Sequence, residues 1–190
     1  MARPVWFIRH GESVANAGRY LAGHLDVDLT ARGVEQATAL RAALADARPE
    51  RLLASDLRRA WRTAELAWPH SQPPLERHEA LRERDVGDWE SIPLDELGAS
   101  VRQALITWNG RPPNGESQAM LATRVLRWLA AHDDGRPTML FVHGGLIRCI
   151  VGLLDGTPLH EIGTWKVRNT EVAVRDVPAD RWGQLLRAMK

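Results

Sequence analysis

A chain of 190 residues with 44% hydrophobic and 26% charged side chains has the make-up of a soluble globular protein of one domain, long enough to bury a substantial core. Its formal net charge of +1 gives no global electrostatic reason to expect a nucleic-acid or membrane-surface partner. The single cysteine, Cys149, excludes an internal disulfide and a cysteine-based zinc cluster. No apolar run reaches membrane-spanning length, and residues 5–8 are too short for a signal-peptide core, so a cytoplasmic location is expected. Basic residues are lopsided, 23 Arg against only Lys166 and Lys190, so motifs built on Arg must be discounted for abundance.

Val5-Trp6-Phe7-Ile8 reads as a short buried strand ending at Arg9-His10-Gly11. A helix follows from Thr30, an N-cap residue type, with Val34, Ala37, Leu40 and Leu44 at helical spacing. Residues 51–54 form a second strand and 56–67 a second helix, stopped before Pro69. The stretch 87–115 is the least regular, carrying Pro93, Pro112 and Pro113, and reads as a small cap. A helix is predicted over 117–131, with Met120, Leu121, Val125, Leu126 and Leu129 as its apolar positions. Residues 138–142 run apolar throughout, as buried parallel strands do. That strand ends at His143-Gly144-Gly145, with a helix over 146–154 and a last strand at 172–174. The alternation predicts an α/β fold, three-layer α/β/α with a mostly parallel central sheet and a cap insertion around 87–116, in a single domain over 1–190. Ligands of such folds bind at the carboxyl ends of strands, which places His10 and His143 on one rim.

The residues at that rim suit phosphoryl transfer. A transferring phosphoryl group spreads charge over three oxygens, so without a metal the site needs guanidinium forks and imidazole around them. Arg9 supplies one fork, an Arg of the segment Ser55-Asp56-Leu57-Arg58-Arg59-Ala60 a second, and His143 lies opposite. Gly11 allows close backbone approach, and a helix beginning there would aim N–H groups at an anion. A nucleophilic His10 must be neutral at its attacking nitrogen, with the other held by an acceptor. Protonating the leaving group falls to an acid, for which Glu83 is the candidate beside its rivals Asp85, Asp88 and Glu90.

Together these segments resemble the histidine phosphatase superfamily, which contains phosphoglycerate mutases and small phosphatases. The resemblance rests on Arg9-His10-Gly11-Glu12, Asn16, Gly23-His24-Leu25-Asp26, and Ser55-Asp56-Leu57 with Arg59-Ala60. It continues through Leu81 and Glu83 to Gly87, Trp89-Glu90, Gly115-Glu116-Ser117 and His143-Gly144-Gly145. It implies His10 as the phosphorylated residue, Arg9, Arg59 and His143 as phosphate-holding catalytic groups, and Glu83 as the acid. Asn16, Gly11, Ser13, Gly23 and Gly144 are implied as substrate-binding positions, with no metal or cofactor. The short cap and Gly-Asp-Trp-Glu segment are similar to small-metabolite phosphatases such as those acting on α-ribazole phosphate, which implies a small phosphorylated metabolite as partner. Where the family has Gly after Trp89-Glu90, this chain has Ser91, a strained choice if that position adopts positive φ.

Three rival motifs fail on context. Asp26-Val27-Asp28-Leu29-Thr30 fits an aspartate-nucleophile pattern but lacks the apolar strand before it. Gly115-Glu116-Ser117-Gln118-Ala119 resembles a serine-hydrolase elbow but follows proline-rich coil. Cys149 lacks the Arg six positions on that a cysteine phosphatase needs, since Asp155 stands there. Two alternatives to hydrolysis remain open. One is mutase-type return of the phosphoryl group, against which stand the mere 60 positions between Glu83 and His143. The other is a non-catalytic phospholigand-binding module.

Overall fold

A computed structural model describes residues 1–189. In chain order the elements are β1 (Arg3–Arg9), α1 (Val14–Ala17), α2 (Ala31–Ala43), β2 (Arg51–Ser55), α3 (Arg58–Ala67) and β3 (Leu75–His78). After them come α4 (Ala99–Ile106), α5 (Gln118–His132), β4 (Thr138–Val142), α6 (Gly144–Asp155), α7 (Leu159–Ile162), β5 (Val172–Val177) and α8 (Arg181–Ala188). The sheet order is β3-β2-β4-β1-β5. Every pairing is parallel except that of β5, which runs antiparallel to β1 from Arg3↔Val177 to Ile8↔Val172.

Alternation along the central strands splits the core into two layers, as a sheet buried on both faces requires. Leu140 and Val142 of β4 join Phe7 and Leu53 beneath α5, α6 and α8. Met139 and Phe141 join Ile8, Leu52 and Ala54 on the opposite face, against Leu40 of α2 and Ala64 of α3. The architecture is thus α/β with helices on both faces of a mostly parallel sheet. The helix after β1 lies on one face and the helix after β4 on the other. A crevice therefore opens where these adjacent parallel strands end, the switch point at which such sheets bind ligands.

Local signals account for several helix starts. Thr30 caps α2 by accepting from the Gly33 N–H, and Ser117 caps α5 by accepting from Met120. Helix α3 begins at Arg58, later than the residue types predict. Asp56 turns its carboxylate to Arg82 (2.8 and 2.5 Å) instead of capping. Helix α6 begins at Gly144, with His143 itself at the N-cap, and β5 extends to Val177 because β1 pairs with it along its whole length. The stretch 87–115 contains the helix α4, whose residues are half-buried or exposed and so leave little apolar periodicity to read. Ser91 has φ 64°, the left-handed conformation that favours glycine. Among the described residues no helix is long and apolar enough to cross a membrane.

Candidate active site

The register Arg9↔Val142 puts the first residues beyond β1 and β4 side by side. The His10 N–H donates to the Val142 carbonyl (3.0 Å), and the two imidazole rings lie 5.2 Å apart, edge to face. Both are buried, at 4% and 0% exposure. His10 Nδ1 sits 2.7 Å from the Gly11 carbonyl. A carbonyl can only accept, so Nδ1 carries the proton and Nε2 keeps its lone pair. Burial, then the nearby Arg59 and Arg9 charges, push the His10 pKa well below 6.5, against a smaller opposing effect of the Gly11 carbonyl. Burial, then Arg59, His10 and Arg9, push His143 the same way. Neither ring nitrogen of His143 has a hydrogen-bond partner among the described residues. Buried polar atoms are normally paired, so these two nitrogens mark a place for a polar ligand.

A cleft of about 380 Å³ opens at this point, lined by Arg9, His10, Ser13, Asn16, Gly23, Arg59, Glu83, Gly145 and their neighbours. Arg59, 2% exposed, donates to the carbonyls of Leu25 (2.7 Å) and Gly23 (2.9 Å). Its fork is thereby fixed while its remaining N–H groups stay available. Arg9 is tethered to the Val167 carbonyl (2.6 Å), and its Nε has no partner among the described residues. Burial lowers the pKa of both guanidinium groups, with Glu83 opposing. Asn16 forms a capping box with Ser13, and its Oδ1 accepts from Ser13 N–H (3.2 Å) and Asn169 Nδ2 (3.0 Å). With the oxygen so occupied, the donor end of the amide is the end left for an anion.

Glu83 is held from both sides. Its carboxylate accepts from the Arg84 N–H (2.8 Å) and from Gly145 N–H (2.9 Å) in the first turn of α6. A Cβ on Gly145 would collide with this carboxylate, which is why glycine stands there. The backbone carrying Glu83 is gripped by an ion pair from outside the cleft. Arg124 binds Glu116 through two hydrogen bonds (2.8 and 2.7 Å) and also donates to the carbonyls of Ala80 (2.9 Å) and Glu83 (3.1 Å). Glu116 in turn accepts from Asp85 N–H (3.1 Å). His24 Nε2 completes the grip, 2.8 Å from the Glu83 carbonyl.

The structure gathers His10, Arg9, Arg59, Glu83, Ser13, Asn16 and Gly23 around one cleft, with His143 buried against His10. Two glycines take other parts. Gly11 gives its N–H to Thr63 Oγ1 (3.0 Å), and a Cβ there would strike the Gly33 carbonyl. Gly11 thus permits a close backbone crossing with its N–H turned to Thr63, and the helix expected from it starts only at Val14. Gly144 packs beside the Arg9 side chain, where a Cβ would lie 3.3 Å from Nε, and Gly145 is the glycine that lines the cleft. The rival acids stand aside: Asp85 bonds the Gly87 N–H, Asp88 binds Asn114, and Glu90 accepts from His24 N–H. Arg102 and Arg111 bind the backbone of their own segment. Cys149 is fully buried near Gln118, and burial pushes its thiol pKa up to about 12, which makes it an inert packing residue.

Three contributors escaped the sequence reading as site residues: Arg84, Arg148 and Asn169. Helical periodicity carries a signal for Arg148, three positions after Gly145 on the same face of α6. Nothing local marks Asn169, which donates to the His10 carbonyl (3.1 Å) across 159 positions.

Comparison with known proteins agrees with this geometry. The family model described as the histidine phosphatase superfamily (branch 1) matches residues 5–188. A glucosyl-3-phosphoglycerate phosphatase of Mycolicibacterium vanbaalenii is 36% identical over 87% of this chain and 78% of its own. The adenosylcobalamin/alpha-ribazole phosphatase of Escherichia coli is 30% identical over 86% and 84%, and a protein of Erwinia tasmaniensis named "Probable phosphoglycerate mutase GpmB" is 33% identical over 94% and 86%. The solved structure of a mycobacterial glucosyl-3-phosphoglycerate phosphatase complexed with VO3 superposes with a TM-score of 0.81 at 28% identity, covering 91% of this chain and 92% of that one. Matched over nearly its whole length, this chain belongs to branch 1 of the histidine phosphatase superfamily.

Proposed function

We propose that the chain is a metal-independent phosphatase that hydrolyses a small phosphomonoester through a phosphohistidine on His10. The observation that carries this reading is the tautomer. With its Nδ1 proton on the Gly11 carbonyl, a neutral His10 offers a basic Nε2 beside two buried guanidinium forks.

In the first step Nε2 attacks phosphorus and the bond to the leaving oxygen breaks. Arg9, Arg59, His143 and Asn16 hold the equatorial oxygens, and Glu83 gives the leaving alkoxide its proton. In the second step Glu83 takes a proton from water as the water oxygen attacks phosphorus. The N–P bond breaks, and inorganic phosphate and neutral His10 result. Anchorage of Glu83 to Arg84 N–H and Gly145 N–H supports this role, because both bonds aim one carboxylate at the cleft. The segment 87–116 would serve as the cap, a reading supported by Leu94, Leu105 and Ile106 in the cleft lining. The named phosphatase relatives act on small phosphorylated molecules, which supports hydrolysis. The relative named as a mutase keeps transfer back to substrate as the second reading.

The test is hydrolysis of an aryl phosphate by wild type and His10→Ala, each with and without EDTA, with acid-labile phosphoprotein trapped by rapid quenching. Activity that survives EDTA, with label on wild type and none on the variant, is the expected result. Activity retained by His10→Ala would overturn the reading. Phosphoryl relocation without release of inorganic phosphate would replace hydrolysis with the mutase reading.

A further inference from the structure

Helix α5 buries Leu121, Ala122, Val125, Leu126 and Leu129 in the core. Gln118 lies on that same face, three positions before Leu121 and seven before Val125, and is only 2% exposed. A polar side chain at an apolar position is costly to bury unless its groups are met. Those of Gln118 are met at both ends. Its Nε2 donates to three successive carbonyls, Leu105 (3.3 Å), Ile106 (2.9 Å) and Thr107 (3.4 Å), and its Oε1 accepts from the Cys149 thiol (3.6 Å). Three carbonyls can face only the donor end of an amide, so its orientation is fixed.

These carbonyls belong to the end of α4 and the residue that follows it. A helix leaves its last four carbonyls without partners of its own, and none of the eight residues of α4 is buried. With so little apolar packing to place it, this helix depends on polar tethers. Beside the Gln118 amide, the Ala119 N–H donates to the Trp108 carbonyl (3.1 Å) and Arg84 Nη2 to that of Leu105 (3.2 Å). Gly163 approaches so closely that a Cβ there would strike both the Ile106 carbonyl and the Gln118 amide. Leu105 and Ile106 themselves line the cleft that holds His10, Arg9 and Arg59. Being apolar, they suit the alcohol portion of a substrate and not its phosphate.

We infer that Gln118 is a positioning residue for substrate selection: by holding the end of α4, it sets Leu105 and Ile106 as the wall against which the alcohol of the phosphomonoester packs. This role rests on the phosphatase reading. Gln118 is not itself one of the residues lining the cleft, so it acts through the two residues that it holds. Without its donors the end of α4 is free to turn its carbonyls to water, and the wall moves with them.

Methyl phosphate and n-butyl phosphate test it, because their alcohols are alike in acidity and differ in apolar length. In wild type kcat/KM should be about tenfold or more higher for the butyl ester. That ratio cancels any loss of active protein, so damage to the fold alone does not move it. It should fall toward one in Ile106→Ala, at a residue 39% exposed, and in Gln118→Met, which keeps the volume and removes both donors. Inhibition by orthovanadate, which has no alcohol, should stay within about twofold. Gln118→Glu covers the case in which the Met variant does not fold. Its carboxyl can donate to the carbonyls only when protonated, so the ratio should fall as pH rises from about 5.5 to 8.5, while that of wild type stays level. A level ratio in this variant, or an undiminished one in Gln118→Met or Ile106→Ala, overturns the role. So does a fall matched by weaker orthovanadate inhibition, which would place the damage at the phosphate. Phosphate release by wild type with a ratio near one overturns the wall and leaves the phosphatase reading standing. No release from either ester or from an aryl phosphate defeats the phosphatase reading, and this role with it.

Discussion

Two buried neutral histidines should make this protein lose stability at mildly acidic pH. Both His10 and His143 have pKa values pushed well below 6.5, mainly by burial and by the neighbouring guanidinium charges. In the unfolded chain the same imidazoles return to about 6.5. Above that value both states are neutral at these positions and the full stability is present. As pH falls from 6.5 toward the lowered folded values, the unfolded chain takes up protons that the folded chain refuses. Each histidine then costs up to about 1.4 kcal/mol per pH unit, and the pair about 2.7 kcal/mol. That is a large part of a domain stability of about 5–15 kcal/mol. The carboxylates held low by arginine partners, Asp28, Asp56, Glu116 and Asp134, act in a separate window. Their contribution is lost only as pH falls below their ordinary values of 3.8 and 4.5. The assay is urea unfolding at a series of pH values from about 7.5 to 5, on wild type and on His10→Gln/His143→Gln. The double variant should show a markedly shallower fall. Equal slopes in the two proteins would refute the claim that these imidazoles are held neutral by their surroundings.

Arg59→Lys should lower kcat/KM by about a hundredfold or more, since an ammonium cannot hold the Gly23 and Leu25 carbonyls and an oxyanion together; steady-state kinetics on an aryl phosphate would show it. Ser91→Gly should stabilise the protein by about 1 kcal/mol, because glycine meets no Cβ penalty at φ 64°. Thermal unfolding should read this as a rise of about 2–4 °C in Tm, and a fall would locate the favourable contacts of Ser91 elsewhere. Arg124→Gln leaves Glu116 uncompensated and frees the backbone at Glu83. It should cost about 2 kcal/mol of stability and slow poor leaving groups more than good ones. A uniform loss across a series of aryl phosphates would reduce Arg124 to a structural role.

The local sequence determined a good deal. Val5 to Ile8 and Thr138 to Val142 announce themselves as buried strands because both faces are apolar. A strand end is a local event, so His10 and His143 could be assigned to one rim before their neighbours were known. Thr30 and Ser117 could be recognised as caps because a cap bonds three residues along its own chain. Edge strand β3, Leu75-Glu76-Arg77-His78, left no such trace: it is only partly covered, and polar side chains dominate it. Nor could any local pattern show which of the many arginines line the cleft, or identify Asn169 behind His10. The Thr63 hydroxyl that accepts the Gly11 N–H from 52 positions away leaves no local mark either. Periodicity and capping act over a few residues and can be read along one chain. Charge compensation, buried donors and the grip of Arg124 on the Glu83 backbone depend on which distant atoms packing brings within about 3 Å, and only the tertiary structure decides that.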